Sequence, residues 1–158
     1  MKVLVTGGAG FIGSSLADEL LNQGYDVVAV DNFNDYYDVS RKEQNVKDAM
    51  KSSRYKLYRA DITDKKEMER IFEAERFDKI AHLAARAGVR PSLDNPHLYA
   101  NDNYVGTMVM LELARKYCPE ATFIFTSTNK VYGDTPNSLP LLELEKRCAR
   151  MRQCEITL

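Results

Sequence analysis

Charge excess is the first thing this sequence lacks: 22 Lys and Arg stand against 23 Asp and Glu, a net charge of −1 over 158 residues. With no long basic run either, nothing points to a nucleic acid as partner. No apolar run is long enough to span a bilayer. The N-terminus passes from a charged residue straight into a strand pattern, without the apolar core of a signal peptide. Cysteine is scarce. Cys118, Cys148 and Cys154 are odd in number and show no C-x-x-C spacing. Free thiols in a reducing cytoplasm are the simple reading, and a metal site is not expected. Internal repeats and low-complexity segments are also missing. What remains is ordinary: 44% apolar residues argue against disorder. The length favours one domain, burying roughly two-thirds of its unfolded surface.

The stretch that stands out is the first thirteen residues, MKVLVTGGAGFIG. Residues 2–6 read as a short buried strand, with Val3, Leu4 and Val5 in an unbroken apolar run. Gly7, Gly8, Ala9, Gly10, Phe11, Ile12 and Gly13 follow. Ile12, Leu16 and Leu20 then mark an amphipathic helix at i, i+4 and i+8. Strand, glycine turn and helix are the context that a dinucleotide-binding motif needs. Gly7 allows the tight turn. Gly10 leaves room for a pyrophosphate against the backbone, and Gly13 lets the helix pack close to the strand. The free N–H groups and the positive dipole end of the helix would face the phosphates. A second apolar strand, DVVAV over residues 26–30, ends on Asp31, eighteen residues after Gly13. That is close to the roughly 20-residue spacing of the acid that binds the adenosine ribose. Its carboxylate can accept from both ribose hydroxyls and would repel a 2′-phosphate, so NAD is favoured over NADP. The plain alternative makes the glycines a loop and Asp31 a turn residue.

Along the chain, the first helix is predicted from Phe11 to Gln23, with Gly24 as its C-cap. Residues 32–39 (NFNDYYDV) form a polar, aromatic loop. Residues 40–52 are rich in Lys, Glu, Asp and Gln and read as a helix with a solvated face, not a binding patch. A third strand is predicted over residues 55–60. Thr63 can cap a helix over residues 64–74, with Met68, Ile71 and Phe72 on one face. A fourth strand is predicted over residues 79–84 and a loop over 85–95. A long helix covers residues 97–117, with more apolar surface than one face needs, and a fifth strand covers 121–126. Strands alternating with helices argue for an α/β fold, a doubly wound parallel sheet of the Rossmann kind. His82, alone in an apolar strand, reads as a packed, hydrogen-bonded core residue and not a ligand.

Taken together these residues resemble the NAD-dependent nucleotide-sugar epimerases and dehydratases of the extended short-chain dehydrogenase/reductase family. Residues 5–13 match that family's TGxxGxxG opening. DNFNDYYDVSRK (31–42) and AARAGVR (84–90) look most like UDP-glucuronate 4-epimerases. TSTNKVYGDTPNSLPLLEL (126–144) looks more like CDP-paratose (tyvelose) 2-epimerases. The likeness covers residues 1–146, the expected NAD-binding Rossmann domain. Residues 147–158 diverge from it.

The resemblance implies a mechanism in which NAD takes a hydride from a sugar carbon and returns it to a keto intermediate on a chosen face. The surplus apolar surface of the long helix, around Leu98 to Leu113, is expected either to pair two copies or to be covered by further parts of the same fold, and the resemblance implies a UDP- or CDP-linked sugar as substrate. It places Phe11 and Ile12 at the pyrophosphate, and Asp31 and Asn32 at the adenosine ribose. Asp61 and Ile62 fall at the adenine. Leu83, Ala84, Ala85 and Arg86 fall beside the pyrophosphate and nicotinamide ribose, and Asn103 near the nicotinamide. For Ala84 and Ala85, plain close packing is an equal alternative. Thr128, four residues before Tyr132, matches the catalytic Ser/Thr; the other reading is a strand-end hydroxyl bonded to local backbone. Asn129 and Lys130 stand where the 4,6-dehydratases carry an Asp-Glu pair, so an epimerase is implied.

The family's Tyr-x-x-x-Lys is missing: none of the nine tyrosines is followed four residues later by lysine. Tyr132 belongs to the VYG turn and is not the missing base. Family chains would be roughly twice as long, with a second domain that builds the sugar pocket. The resemblance therefore implies a Rossmann domain incomplete at its C-terminal end, with an unpaired sheet edge. Three expectations stand: an epimerase portion with little or no turnover, a non-catalytic NAD-binding or partner-binding module, or a fragment without function.

Overall fold

Strand β1 (Lys2–Thr6) forms the centre of a five-stranded parallel sheet, because its apolar run can be buried on both faces. The computed structural model describes residues 1–127, and Met1–Thr126 form one compact unit. β1 is flanked by β2 (Asp26–Asp31) and β4 (Lys79–His82), with Lys2 opposite Asp26 and Val3 opposite Lys79. Outside β2 lies β3 (Tyr55–Arg59), and outside β4 lies β5 (Thr122–Phe125). The strand order is β3-β2-β1-β4-β5. This is the doubly wound α/β arrangement that the alternating pattern predicts.

Side chains alternate across the sheet with period two. Leu4, Val28, Val30 and Ile80 point to one face, where they meet α3 (Lys65–Glu75) and α6 (Gly106–Tyr117) through Met68, Ile71, Phe72, Met110 and Leu113. Val3, Val5, Val27, Ala29 and Ala81 point to the other, against Ala17 and Leu21 of α1 (Phe11–Asn22). Phe72 is fully buried and meets Phe77 edge to face at 5.2 Å. Truncating such a side chain to alanine costs about 3–5 kcal/mol. Glu75, the last residue of α3, fastens that helix to the sheet. Its carboxylate accepts from Lys2 Nζ at 2.8 Å, Lys56 Nζ at 2.6 Å and the Tyr58 hydroxyl at 2.7 Å. Burial pushes its pKa up, but these three donors outweigh it and hold Glu75 at about 2.

Four elements differ from the sequence expectation. The helix after the aromatic loop is shorter: α2 spans Val39–Val46, capped by Asp38, and a 3-10 turn follows over Ala49–Lys51. Its face is not wholly solvated, since Lys42, Val46 and Ala49 are buried. The cap of α3 is Asp64, which accepts from the N–H groups of Lys66 and Glu67. Thr63 is instead engaged by Asp61, to which its backbone and hydroxyl both donate. The loop after β4 contains a short helix, α4 (Val89–Asp94). The long helix is interrupted: α5 (Pro96–Tyr99) leads into a π-helical segment, Ala100–Val105, before α6. The Thr107 hydroxyl donates to the Asn103 carbonyl at 2.6 Å, a back-bond of the kind that bends helices. Tyr104, Val105 and Met108 remain exposed beside it.

β5 is the sheet edge among the described residues, and Ile124 and Phe125 on it are half exposed. Among the described residues, no helix is long and apolar enough to cross a membrane.

Candidate functional site

A cleft opens at the C-terminal ends of β1, β2 and β4 and is lined by Gly7, Gly10, Asp31, Asn32, Asp61, Ile62 and residues 83–87, together with Lys42, Tyr36, Tyr37 and Asp102. Its floor is the glycine turn. Gly7 sits at φ +69°, which L side chains rarely adopt. The Gly10 N–H donates back to the Gly7 carbonyl at 3.0 Å and closes the turn. A side chain on Gly13 would collide with that same carbonyl, so its close packing is against the turn itself. A side chain on Gly10 would meet only the Gly7 oxygen, at 3.2 Å, and otherwise fill open space.

The first internal bond of α1 runs from the Ser14 N–H to the Gly10 carbonyl. The backbone N–H groups of Phe11, Ile12 and Gly13 therefore have no partner inside the helix. The helix has no side-chain cap and no acidic residue in its first turn. The side chains of Phe11 and Ile12 are exposed, so only their backbone is available to an anion. The open space at Gly10 and these amides fit a pyrophosphate.

Asp31 ends β2 and is buried. Its Oδ2 accepts from the Ala9 N–H at 3.1 Å. Its Oδ1 accepts from the Phe33 N–H at 2.9 Å and from Lys42 Nζ at 3.1 Å. The carboxylate thus ties the glycine turn, its own loop and α2 together. Lys42 was missed in the sequence because its helix is charged overall. The signal was its phase: Val39, Lys42, Val46 and Ala49 share one face at i, i+3, i+7 and i+10. Asn45 adds a second tie, donating to the Ala9 carbonyl at 3.0 Å.

On the next wall, Asn32 donates to Asp61 Oδ2 at 2.8 Å. Burial pushes Asp61 up, but hydrogen bonds from Asn32 and Thr63 outweigh it and hold its carboxyl below the usual range. Ile62 is buried directly behind it. The opposite wall is residues 83–86. The Leu83 and Ala84 N–H groups both donate to Thr6 Oγ1 at 3.1 Å. With two donors on its oxygen, Thr6 gives its own proton to His82 Nδ1, 2.8 Å away. His82 Nε2 then donates to Thr107 Oγ1 at 3.0 Å. His82 is the hydrogen-bonded core histidine expected from the sequence, and burial lowers its pKa to about 4.

Asn103 does not line the cleft. It grips the Arg86 backbone, accepting from its N–H at 2.6 Å and donating to its carbonyl at 3.0 Å. The Arg86 guanidinium pairs with Asp102 at 2.7 Å. Tyr36 and Tyr37, from the polar, aromatic loop, meet edge to face at 4.8 Å and add an aromatic surface to the cleft. Thr128 lies outside the described residues. Among the described residues, no group of three His, Cys, Asp or Glu side chains could hold a metal ion.

The arrangement can receive an anion on the helix amides, a diol at Asp31 and a flat ring between residues 61–62 and the neighbouring loop. Comparison with known proteins bears on it directly. The family model for GDP-mannose 4,6 dehydratase matches residues 4–148. The UDP-glucuronate 4-epimerase of Thermodesulfobacterium geofontis is 42% identical over 134 residues, 84% of this chain and 41% of the relative. The probable UDP-glucuronate 4-epimerase of Rhizobium meliloti is 38% identical over 146 residues, 92% of this chain and 42% of the relative. The chain therefore spans about two-fifths of the length of these curated relatives. Among solved structures, the UDP-glucuronic acid 4-epimerase of Bacillus cereus, in complex with UDP-glucuronic acid and NAD, superposes with a TM-score of 0.76 at 31% identity, covering 98% of this chain and 53% of that one. The UDP-glucose 4-epimerase of Thermotoga maritima, with UDP-glucose, gives a TM-score of 0.72 at 38% identity, covering 89% and 42%.

Proposed function

The chain belongs to the NAD-dependent nucleotide-sugar epimerase and dehydratase family, and from that premise we propose that its cleft binds NAD, as the cofactor-holding part of a nucleotide-sugar epimerase. One observation carries the reading: a buried acid, Asp31, ends β2 beside a glycine turn whose helix amides have no partner among the described residues. The amides of Phe11, Ile12 and Gly13 would hold the pyrophosphate, and Asp31 the adenosine ribose. Asp61 and Ile62 would flank the adenine. Leu83, Ala84, Ala85 and Arg86 would line the path toward the nicotinamide, with Asn103 holding that wall in place.

When bound, NAD supplies a hydride acceptor that can return what it takes, which suits inversion of a sugar carbon through a keto-sugar. The substrate class we propose is a UDP- or CDP-linked sugar, with the UDP-glucuronate 4-epimerase relatives favouring the former. Thr128 is proposed to position the reacting oxygen. Asn129 and Lys130, where a dehydratase needs carboxyl groups, favour epimerisation over water loss.

These 158 residues contain no Tyr-x-x-x-Lys. That favours a second reading for the chain taken by itself, cofactor binding with little or no turnover. Two copies would pair through the π-helical segment and α6, where Tyr104, Val105 and Met108 lie exposed, and the cytoplasm is the proposed compartment. Calorimetric titration with NAD and with NADP tests the core of the proposal. Saturable binding of NAD in preference to NADP is expected. No NAD binding by protein shown to be folded overturns it. Conversion of UDP-glucuronate by the same sample separates the epimerase reading from the binding-only reading.

A further inference from the structure

We infer that Lys42 is a cofactor-binding residue, its ammonium and the Asp31 carboxylate together gripping the two hydroxyls of the adenosine ribose, one as donor and one as acceptor. This rests on the NAD reading above and assigns that site a second residue.

Hydrogen-bonding capacity at Asp31 and Lys42 is limited. A carboxylate offers about four accepting positions. Three of those on Asp31 are used, by Phe33 N and Lys42 Nζ on Oδ1 and by Ala9 N on Oδ2. Among the described residues one position is left, on Oδ2. A ribose diol brings two hydroxyl groups, so Asp31 can accept from only one of them. An ammonium has three N–H donors. Lys42 directs one at Asp31 Oδ1 at 3.1 Å and one at Asn34 Oδ1 at 3.4 Å. Among the described residues the third is unused, and it remains for the other hydroxyl oxygen.

Position supports the count. Asp31, Asn34 and Lys42 all line the cleft. The Lys42 and Asp31 side chains are 9% and 6% exposed, and in so dry a site a charged donor counts for more than on a surface. The helix that carries Lys42 is also fixed in place. It is held to the glycine turn by Asn45, and its start is capped by Asp38.

The test is calorimetric titration of the wild-type chain, Lys42→Met and Lys42→Arg with three ligands. These are NAD and the two forms of NAD lacking either the 2′- or the 3′-hydroxyl of the adenosine ribose. For Lys42→Met, a loss of about tenfold in NAD affinity is expected. With one of the two deoxy ligands, that loss should shrink below about twofold, because the hydroxyl it served is gone. Lys42→Arg keeps a charged donor and should bind NAD within about threefold of wild type. Equal losses for Lys42→Met on all three ligands overturn the inference, leaving Lys42 to act only through Asp31. Wild type alone decides it too, should Lys42→Met fail to fold: indifference to removal of either hydroxyl refutes a two-hydroxyl grip. Absence of NAD binding by folded wild type overturns the cofactor reading itself, and is distinguishable from both.

Discussion

Replacing Asp31 with alanine should destabilise the fold far more than a surface acid would, and Lys42→Met should partly rescue it. The alanine leaves the Lys42 ammonium, its side chain 9% exposed, with Asn34 Oδ1 at 3.4 Å as its remaining protein partner among the described residues. It also removes the acceptor of the Ala9 and Phe33 N–H groups. Breaking a buried pair from one side costs about 3–5 kcal/mol. Because the flexible lysine stem can turn toward the open cleft, the low end, about 3 kcal/mol, is expected. Lys42→Met costs less, about 2 kcal/mol, since the carboxylate keeps both backbone donors. The double variant strands no charge and should lose about 2–3 kcal/mol. The singles would then add to about 5, leaving a coupling of about 2–3 kcal/mol. Against a total stability of about 5–15 kcal/mol this is readily measured. Denaturant titration of the four proteins at pH 7 gives the cycle. The coupling should survive added salt, because neither side chain is on the surface. Additivity within about 0.5 kcal/mol would refute the buried pair as the clasp of this site.

Gly10→Val should leave the fold largely intact, since a Cβ there meets only the Gly7 oxygen, which at 3.2 Å must give by a few tenths of an ångström, and the backbone is extended at φ −72°. NAD binding should disappear, and retained affinity in calorimetry would remove the phosphate-turn argument. Tyr55→Phe should raise stability by about 1 kcal/mol, because the Tyr55 hydroxyl is buried with no partner among the described residues; burial with the nearby Asp18 and Asp31 charges pushes its pKa up to about 12. A clear loss of stability in thermal unfolding would show that the hydroxyl is paired. His82 should set a pH dependence. Its folded pKa is about 4 against 6.5 unfolded, so the unfolded chain binds the extra proton within that window. Stability is then complete above pH 6.5 and is lost as pH falls toward 4, by about 3 kcal/mol at most. His82→Gln should flatten that limb of the stability profile; an unchanged limb would assign it to other groups.

Local pattern carried much of this molecule. The β1 strand, its turn and α1 appear where the apolar run and the helical spacing put them, and β2 ends on Asp31 as the sequence reads. His82 sits in the core because an unpaired charge would be expelled from so apolar a strand. Failures occur where a side chain chooses between local and tertiary partners. Thr63 can cap a helix, yet Asp61 holds its hydroxyl at 2.7 Å and Asp64 takes the cap. The long helix reads as continuous because its apolar spacing ignores the Thr107 back-bond and the grip of Asn103 on Arg86. Lys42 was hidden by the composition of its helix, although its phase with Val39, Val46 and Ala49 marks the buried face.

The least legible feature is adjacency across the sheet, and strand order explains it. β2 and β4 both neighbour β1, so the turn that leaves β1 is enclosed on both sides. A side chain on Gly7 would come within 3.0 Å of the Ala84 backbone nitrogen, and one on Gly8 within 2.6 Å of the Ala29 Cβ. The sequence motif accounts for Gly7, Gly10 and Gly13 but gives Gly8 no task. Its task is set by β2, through contact with a residue some twenty positions away. At Ala84 it is the backbone that lies against the turn, its N–H anchored by Thr6, while its side chain packs with the core beneath α3 and α6. That backbone contact with Gly7 sets residues 83–86 at the edge of the cleft, so a side chain at Gly7 should disturb both the turn and the cleft wall beside it.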